Sequence, residues 1–123
     1  MSIIYVASPY SSSLSGDLKL RQQEDRFARV RDFVLHVANS ENLLVYSPIV
    51  YAHNLAQRGS LPTDAEFWYN FNIGVLRKSE ALFLLRIPGW DTSKGVTLEL
   101  NAAKIMAIPV IHFDSDFTRM EIN

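Results

Sequence analysis

Short apolar runs alternate along the chain with longer segments whose apolar residues recur at helical spacing. Four runs have the aliphatic, β-branched and aromatic composition of buried strands, and they cover residues 3–7, 43–46, 81–85 and 110–113. Ser47-Pro48 ends the second run, and the segment from there to Pro62 is predicted to be a polar-aromatic connection. The third run is so apolar that we expect it in the middle of a sheet.

Three segments between the runs predict amphipathic helices, at about residues 17–39, 64–78 and 96–107. The apolar stripe of the first helix comprises Leu20, Phe27, Val30, Val34, Val37 and Ala38, and that of the second comprises Trp68, Phe71, Val75 and Leu76. Thr63 and Glu66 have the spacing of a capping box at the start of the second helix. Pro109 ends the third helix.

The resulting order β-α-β-α-β-α-β predicts a single α/β domain over residues 1–123. We expect a mainly parallel sheet of four or five strands with helices on both faces. Ligands of such sheets bind beside the carboxyl ends of the strands. This rule selects three loops as candidate ligand sites, at residues 8–16, 47–62 and 87–95.

The composition excludes several kinds of chemistry. The 12 Lys and Arg residues against 13 Asp and Glu residues leave no basic excess for a nucleic-acid polymer, although a single phosphate site stays open. The chain has no Cys for a disulfide, a thiolate ligand or a nucleophile, and its 3 His residues are too scattered for a metal cluster. Without a long apolar stretch or a basic leader, we expect a cytoplasmic protein that does not bind membranes.

Glu99 is the sharpest candidate for catalysis, because it follows the loop at residues 87–95 near the start of the third helix. A helix N-terminus favours an ionised carboxylate, and an ionised Glu can attack a sugar carbon. Ser93, at the predicted N-cap, and Gly95 offer a hydroxyl, exposed N–H groups and close backbone approach to a phosphate. The alternative is that Glu99 only stabilises the helix and Ser93 only caps it.

Three further residues have both a functional and a packing interpretation. Tyr5 is either a phenol in the site or a core aromatic, and Trp90 either stacks on a base or packs. His53 either contacts a base or sugar or positions its own loop. The serine-rich loop at residues 11–16 is either a phosphate cradle or a linker, and it carries neither a dinucleotide-binding nor a P-loop motif.

Four segments together resemble the nucleoside 2-deoxyribosyltransferase-like superfamily, and within it a branch of small proteins without assigned function. They are Ile4-Tyr5-Val6-Ala7-Ser8-Pro9-Tyr10, Ser47-Pro48-Ile49 with His53, Asp64-Ala65-Glu66-Phe67-Trp68, and Gly89-Trp90-Asp91-Thr92-Ser93-Lys94-Gly95-Val96-Thr97-Leu98-Glu99. The resemblance covers nearly the whole chain. It implies a flavodoxin-like or Rossmann-like three-layer sandwich, and cleavage or exchange of the N-glycosidic bond of a nucleoside or nucleotide. No cofactor and no metal are expected.

The resemblance places the nucleophile at Glu99 and the tyrosine that contacts it at Tyr5. Nucleoside transferases tend to carry Asp at the position of Ser93, whereas the similar nucleoside 5′-monophosphate glycosidases carry a phosphate-binding Ser there. Ser93 therefore favours a nucleoside monophosphate as the substrate. The other candidate substrate-binding residues are Gly95, Ser8, Tyr10, His53, Asn72 and Trp90. A homo-oligomer is expected, because sites of this superfamily are often completed by a neighbouring subunit.

One position departs from the superfamily pattern. An Asp in the second helix usually helps to protonate the leaving base, and Asn72 stands in its place. An amide forms hydrogen bonds but delivers no proton at neutral pH, so Asp64 is the candidate third catalytic residue. Two alternatives to a glycosidase or transferase stay open, namely a nucleotide-binding or sensing protein without turnover and a structural protein without a ligand.

Overall fold

Strands and helices follow one another along the chain much as the apolar pattern predicts, in a computed structural model that describes residues 2–41, 43–58 and 65–122. The strands are β1 (Ile3–Ala7), β2 (Leu44–Tyr46), β3 (Ser79–Leu85) and β4 (Val110–Phe113). The helices are α1 (Gly16–Glu41), α2 (Pro48–Arg58), α3 (Ala65–Arg77) and α4 (Lys94–Ile105). None of the helices in this described part is long and apolar enough to cross a membrane.

The four strands form one parallel sheet in the order β2-β1-β3-β4. Tyr5 of β1 is aligned with Tyr46 of β2 and with Leu82 of β3, and Leu84 of β3 is aligned with His112 of β4. Because the strands are parallel, all four carboxyl ends meet at one edge of the sheet. The predicted α/β class and the parallel sheet of four strands are therefore confirmed.

Both faces of the sheet are covered, because alternate strand residues point to opposite sides. One face packs against α1 through a cluster that includes Ile4, Val6, Val30, Phe33, Val37 and Phe83. The other packs against α3 and α4 through a cluster that includes Tyr5, Ala7, Leu76, Leu82, Leu84, Val96 and Ala103. The chain is thus a three-layer sandwich, and Tyr5 lies on the face that α3 and α4 cover.

The prediction of a polar-aromatic connection after β2 is wrong, because α2 begins at Pro48. The Oγ atom of Ser47 accepts a hydrogen bond from the backbone N–H of Val50 (3.2 Å), which caps the helix. Pro is well suited to the first helical position, where an N–H would have no intrahelical acceptor. Ser47-Pro48 therefore starts a helix as well as ending a strand.

Two apolar stripes also differ from their predictions. Leu20 is 61% exposed, whereas Phe33, which was not assigned to the stripe of α1, is fully buried. In α3 Leu76 is fully buried but Phe71 is 38% exposed, so the aromatic part of that stripe does not face the core. The capping box predicted for α3 rests on Thr63, which lies outside the described residues.

Arg26 of α1 ties together two loops at the carboxyl edge of the sheet. Its guanidinium donates to the backbone oxygen of Ser11, after β1, and to that of Pro88, after β3 (3.2 Å). Gly89 beside it has a φ of +99°, and a Cβ there would collide with the Arg26 guanidinium. Glycine suits this position because it adopts a positive φ without strain and leaves room for Arg26.

Candidate active site

Tyr5 and Glu99 meet at the centre of the face that α3 and α4 cover. Tyr5 is fully buried in the middle of β1, and its hydroxyl donates a hydrogen bond to Oε2 of Glu99 in the second turn of α4. The two residues are 94 positions apart in the sequence, so the sheet and the crossover helix bring them together. Glu99 as a whole residue is partly buried.

Two opposing influences act on the pKa of the Glu99 carboxyl group. Burial raises the pKa of Glu99 to about 7, and the hydrogen bond from Tyr5 acts in the opposite direction. Burial, and next the Glu99 charge, raise the pKa of Tyr5, so the phenol remains a donor. The predicted effect of the helix N-terminus, which favours an ionised carboxylate, is not dominant here, because Glu99 lies in the second turn, where the helix dipole is weak and desolvation outweighs it.

Tyr46 and Asn72 continue the site on the β2 side of Tyr5. The Tyr46 hydroxyl donates to Oδ1 of Asn72 (2.9 Å), and the Tyr46 ring lies 5.8 Å from the Tyr5 ring, centroid to centroid. Because Oδ1 accepts this bond, the amide group of Asn72 can donate to a ligand. Tyr46 is a site residue that the apolar and polar pattern does not predict. Its signal was a polar aromatic residue at the carboxyl end of a predicted strand.

An aromatic group extends outward from Tyr46. Tyr51 of α2 and Phe71 of α3 stack nearly parallel, with centroids 5.8 Å apart and an angle of 18° between the rings. The centroid of Phe71 is 5.8 Å from that of Trp68 and 6.4 Å from that of Tyr46. Tyr51 and Phe71 are 46% and 38% exposed, so they offer an apolar surface for a planar ring next to Asn72.

Ser93 begins α4 as predicted. Its Oγ accepts from the N–H of Val96 (3.2 Å), and its backbone has the extended geometry of an N-cap. This bond uses one lone pair of the hydroxyl and leaves its hydrogen free to donate. The N–H groups of Lys94 and Gly95 have no acceptor within the helix, because they belong to its first turn. Capping and anion binding are therefore compatible roles for Ser93.

Three other candidate substrate-binding residues lie on or near the loop after β1. Ser8 is buried at the end of the strand, and its hydroxyl has no hydrogen-bond partner among the residues that the structure describes. The Tyr10 hydroxyl is hydrogen-bonded to Nδ1 of His53 (2.8 Å), and Nε2 of His53 lies 3.1 Å from a carboxylate oxygen of Glu24. His53 also stacks on Phe27 (4.0 Å), so its contacts join α2, α1 and this loop.

Trp90 and Asp64 complete the candidates from the sequence. Trp90 packs against the cluster that contains Tyr5, and the Arg86 guanidinium covers one face of its ring at 4.3 Å. That face is closed to a base. Asp64 lies outside the described residues. Within the described ranges, no three His, Asp or Glu side chains gather as they would to hold a metal ion.

Fold and site together define a three-layer α/β protein with a tyrosine–glutamate pair on one face of a parallel sheet. The chain belongs to the family described as a domain of unknown function, DUF1937, whose model matches residues 2–115. No curated protein matches the sequence.

Two solved structures share the fold. A 2-deoxyribosyltransferase from the psychrotolerant bacterium Bacillus psychrosaccharolyticus is 21% identical, with a TM-score of 0.50, over 99% of this chain and 77% of that chain. A 2-deoxyribosyltransferase from Leishmania mexicana is 17% identical, with a TM-score of 0.56, over 93% of this chain and 65% of that chain. The matched part is thus less than two thirds of the length of the Leishmania chain.

Proposed function

We propose that this protein cleaves or exchanges the N-glycosidic bond of a nucleoside or nucleoside 5′-monophosphate, with Glu99 as the nucleophile. The observation that carries the proposal is the hydrogen bond from the buried Tyr5 phenol to the Glu99 carboxyl group. A fixed donor orients the carboxylate and leaves its second oxygen for the sugar. The fold shared with two proteins named 2-deoxyribosyltransferases supports this class of reaction.

The proposed reaction is a double displacement. The Glu99 carboxylate attacks the anomeric carbon, and the electron pair of the broken C–N bond leaves with the base, which takes up one proton. Water or a second base then attacks the same carbon, gives up one proton to the residue that protonated the first base, and releases the Glu99 carboxylate, as in retaining glycosidases. The Asn72 amide donates a hydrogen bond to the departing base, and Asp64 is the proposed source of its proton.

Product analysis tests the proposal directly. The protein is incubated with the common nucleosides, 2′-deoxynucleosides and their 5′-monophosphates, with and without a second free base, and the products are separated by chromatography. Free base alone indicates hydrolysis, and a new nucleoside indicates transfer. The reaction assigned to Glu99 is wrong if no member of the panel yields either product.

A nucleotide-binding protein without turnover is the second candidate function, and Asn72 favours it. The Asn72 side chain cannot supply a proton to the leaving base, and loss of general-acid help costs about 10²–10⁴-fold in rate. Ligand binding without base release would select this function. If no member of the panel is bound or converted, a structural role is the function that remains.

Replacing Ser93 by Asp tests whether Ser93 binds the 5′-phosphate of the substrate. Asp caps helices about as well as Ser, so we expect the free energy of unfolding to change by less than about 0.5 kcal/mol. Its carboxylate repels a phosphate, and we expect monophosphate affinity to fall about 10- to 100-fold while nucleoside affinity changes little. Calorimetric titration measures both affinities. Ser93→Asn, which caps without charge, is the control, and equal losses for both ligands would contradict a phosphate role.

Gly95→Ala is expected to change monophosphate affinity without lowering the stability of the fold. Among the described residues, a Cβ at Gly95 would meet the Ser93 Oγ alone, at 3.9 Å, so the protein accommodates it. Alanine is the better helix former, and we expect the free energy of unfolding to stay equal or to rise by up to about 1 kcal/mol. The methyl group narrows the approach of a phosphate to Ser93, so monophosphate affinity should fall about tenfold. Thermal unfolding and calorimetry check the two effects, and an unchanged monophosphate affinity would place the phosphate elsewhere.

A further inference from the structure

Arg86, which directly follows β3, is held in a fixed position by two side chains that the reaction above does not use. Its guanidinium carbon lies 4.3 Å from the centroid of the Trp90 ring, a cation–π contact. Its Nε donates to Nδ1 of His112 in β4 (3.0 Å). A guanidinium has five N–H donors, and no described residue accepts a hydrogen bond from the two terminal NH2 groups of Arg86.

The charge of Arg86 is not balanced within its own surroundings. Among the residues that the structure describes, no carboxylate lies within ion-pair distance of this partly buried guanidinium. His112 adds no negative charge. Burial, and next the Arg86 charge, lower the pKa of His112, so its Nδ1 remains an acceptor. A partly desolvated cation without a counter-ion is unfavourable, and an anionic ligand would relieve that cost.

The register of the sheet puts Arg86 on the same face as Tyr5 and Glu99. Leu84 is aligned with Ala7 and with His112, and it belongs to the cluster that contains Tyr5. Strand residues alternate between the faces, so Arg86, two positions beyond Leu84, continues this face at the carboxyl edge. Asn72 and Tyr46 lie on the β2 side of Tyr5, and Arg86 lies on the β4 side.

We propose that Arg86 binds the phosphate of the substrate, with Trp90 and His112 as its positioning residues. The inference rests on the proposed function and narrows the substrate class to nucleosides phosphorylated on the sugar. A planar guanidinium with two free NH2 groups matches two phosphate oxygens. The base would lie toward Asn72 and the aromatic group, and the phosphate toward Arg86, on opposite sides of Tyr5.

Base-matched titrations of Arg86→Gln test this inference. Affinities of the common 2′-deoxynucleosides and their 5′-monophosphates are measured by calorimetry in the full chain carrying Glu99→Gln, which prevents turnover. With Arg86 present, we expect the monophosphate to bind at least about tenfold more tightly than the nucleoside with the same base. Arg86→Gln should remove most of that preference and leave nucleoside affinity within about twofold.

Matched variants separate charge from structure. Arg86→Lys keeps the charge without the planar fork and should retain part of the preference. Thermal unfolding shows whether Arg86→Gln folds. If it does not, Arg86→Lys is the variant that tests the inference. Arg21→Gln removes an exposed cation from α1, on the opposite face of the sheet, and should change neither affinity. Inorganic phosphate is titrated in parallel, and it should bind more weakly than the monophosphates.

Several results would overturn the inference. An unchanged monophosphate preference in Arg86→Gln, or an equal loss of both affinities, would mean that Arg86 does not bind the phosphate. Inorganic phosphate that binds as tightly as the best monophosphate would indicate a free-anion site. A different measurement decides the proposed function. It is wrong only if the wild-type chain neither releases nor transfers a base, whatever the effect of Arg86 on ligand affinity.

Discussion

Replacing Glu99 by Gln is expected to abolish base release and transfer while leaving the fold and ligand binding in place. Gln has nearly the same shape, and its carbonyl oxygen can accept the hydrogen bond from Tyr5. It cannot form the glycosyl intermediate. Removal of a nucleophile that acts as a unit with its partners costs about 10⁴–10⁶-fold in rate, so we expect kcat to fall by that factor. Initial rates of base release, measured by chromatography, provide the test.

The matched control is Glu80→Gln, which removes an exposed carboxylate from β3 and should leave kcat unchanged. Ligand affinity of Glu99→Gln, measured by calorimetry, should remain within a few-fold of wild type. Residual turnover within about tenfold of wild type would show that Glu99 is not the nucleophile, because lost covalent catalysis has a far larger effect.

Much of the fold could be predicted, because buried strands and amphipathic helices leave strong periodic signals. β1 and β4 have the predicted bounds, and α1, α3 and α4 lie within a few residues of theirs. The error at α2 is physical in origin, since Ser47-Pro48 is compatible with a strand end and with a helix start. The residues that follow have amphipathic helical spacing and contact α1, and both features favour the helix.

The site could be predicted only in part, for a related reason. Glu99 and Ser93 stand beside a helix start, which the sequence marks with glycine and capping residues. Tyr46 and Arg86 are ordinary strand-end residues until the strand order places them on either side of Tyr5. Periodicity also assigned Phe71 to the core, because it does not distinguish an apolar face that packs from one that borders a site.

The raised pKa of Glu99 has a consequence for stability, because an ionised carboxylate in this environment opposes folding. Its pKa is about 7 in the folded protein and about 4.5 in an ordinary environment. Each pKa unit corresponds to about 1.4 kcal/mol, so the ionised group costs about 3 kcal/mol once the pH exceeds the folded pKa. Active sites commonly retain such unfavourable groups for their chemistry.

We therefore expect Glu99→Gln to become more stable relative to wild type as the pH rises. Below about pH 4.5 the carboxyl group is protonated in both states, and the difference in unfolding free energy should be small. Between about pH 4.5 and 7 the unfolded state binds fewer protons than the folded state, so the stability of the wild type falls with pH. Above pH 7 the difference should level off near 3 kcal/mol in favour of the variant.

Denaturant unfolding of both proteins at a series of pH values measures this difference, and the other titrating groups largely cancel between them. Tyr5→Phe provides a second check, because loss of its hydrogen bond removes an interaction that lowers the pKa of Glu99. In that variant the fall in stability should extend to higher pH than in wild type. A difference between wild type and Glu99→Gln that does not change with pH would mean that Glu99 has an ordinary pKa. Such a carboxylate would be well solvated, and burial would not control its protonation.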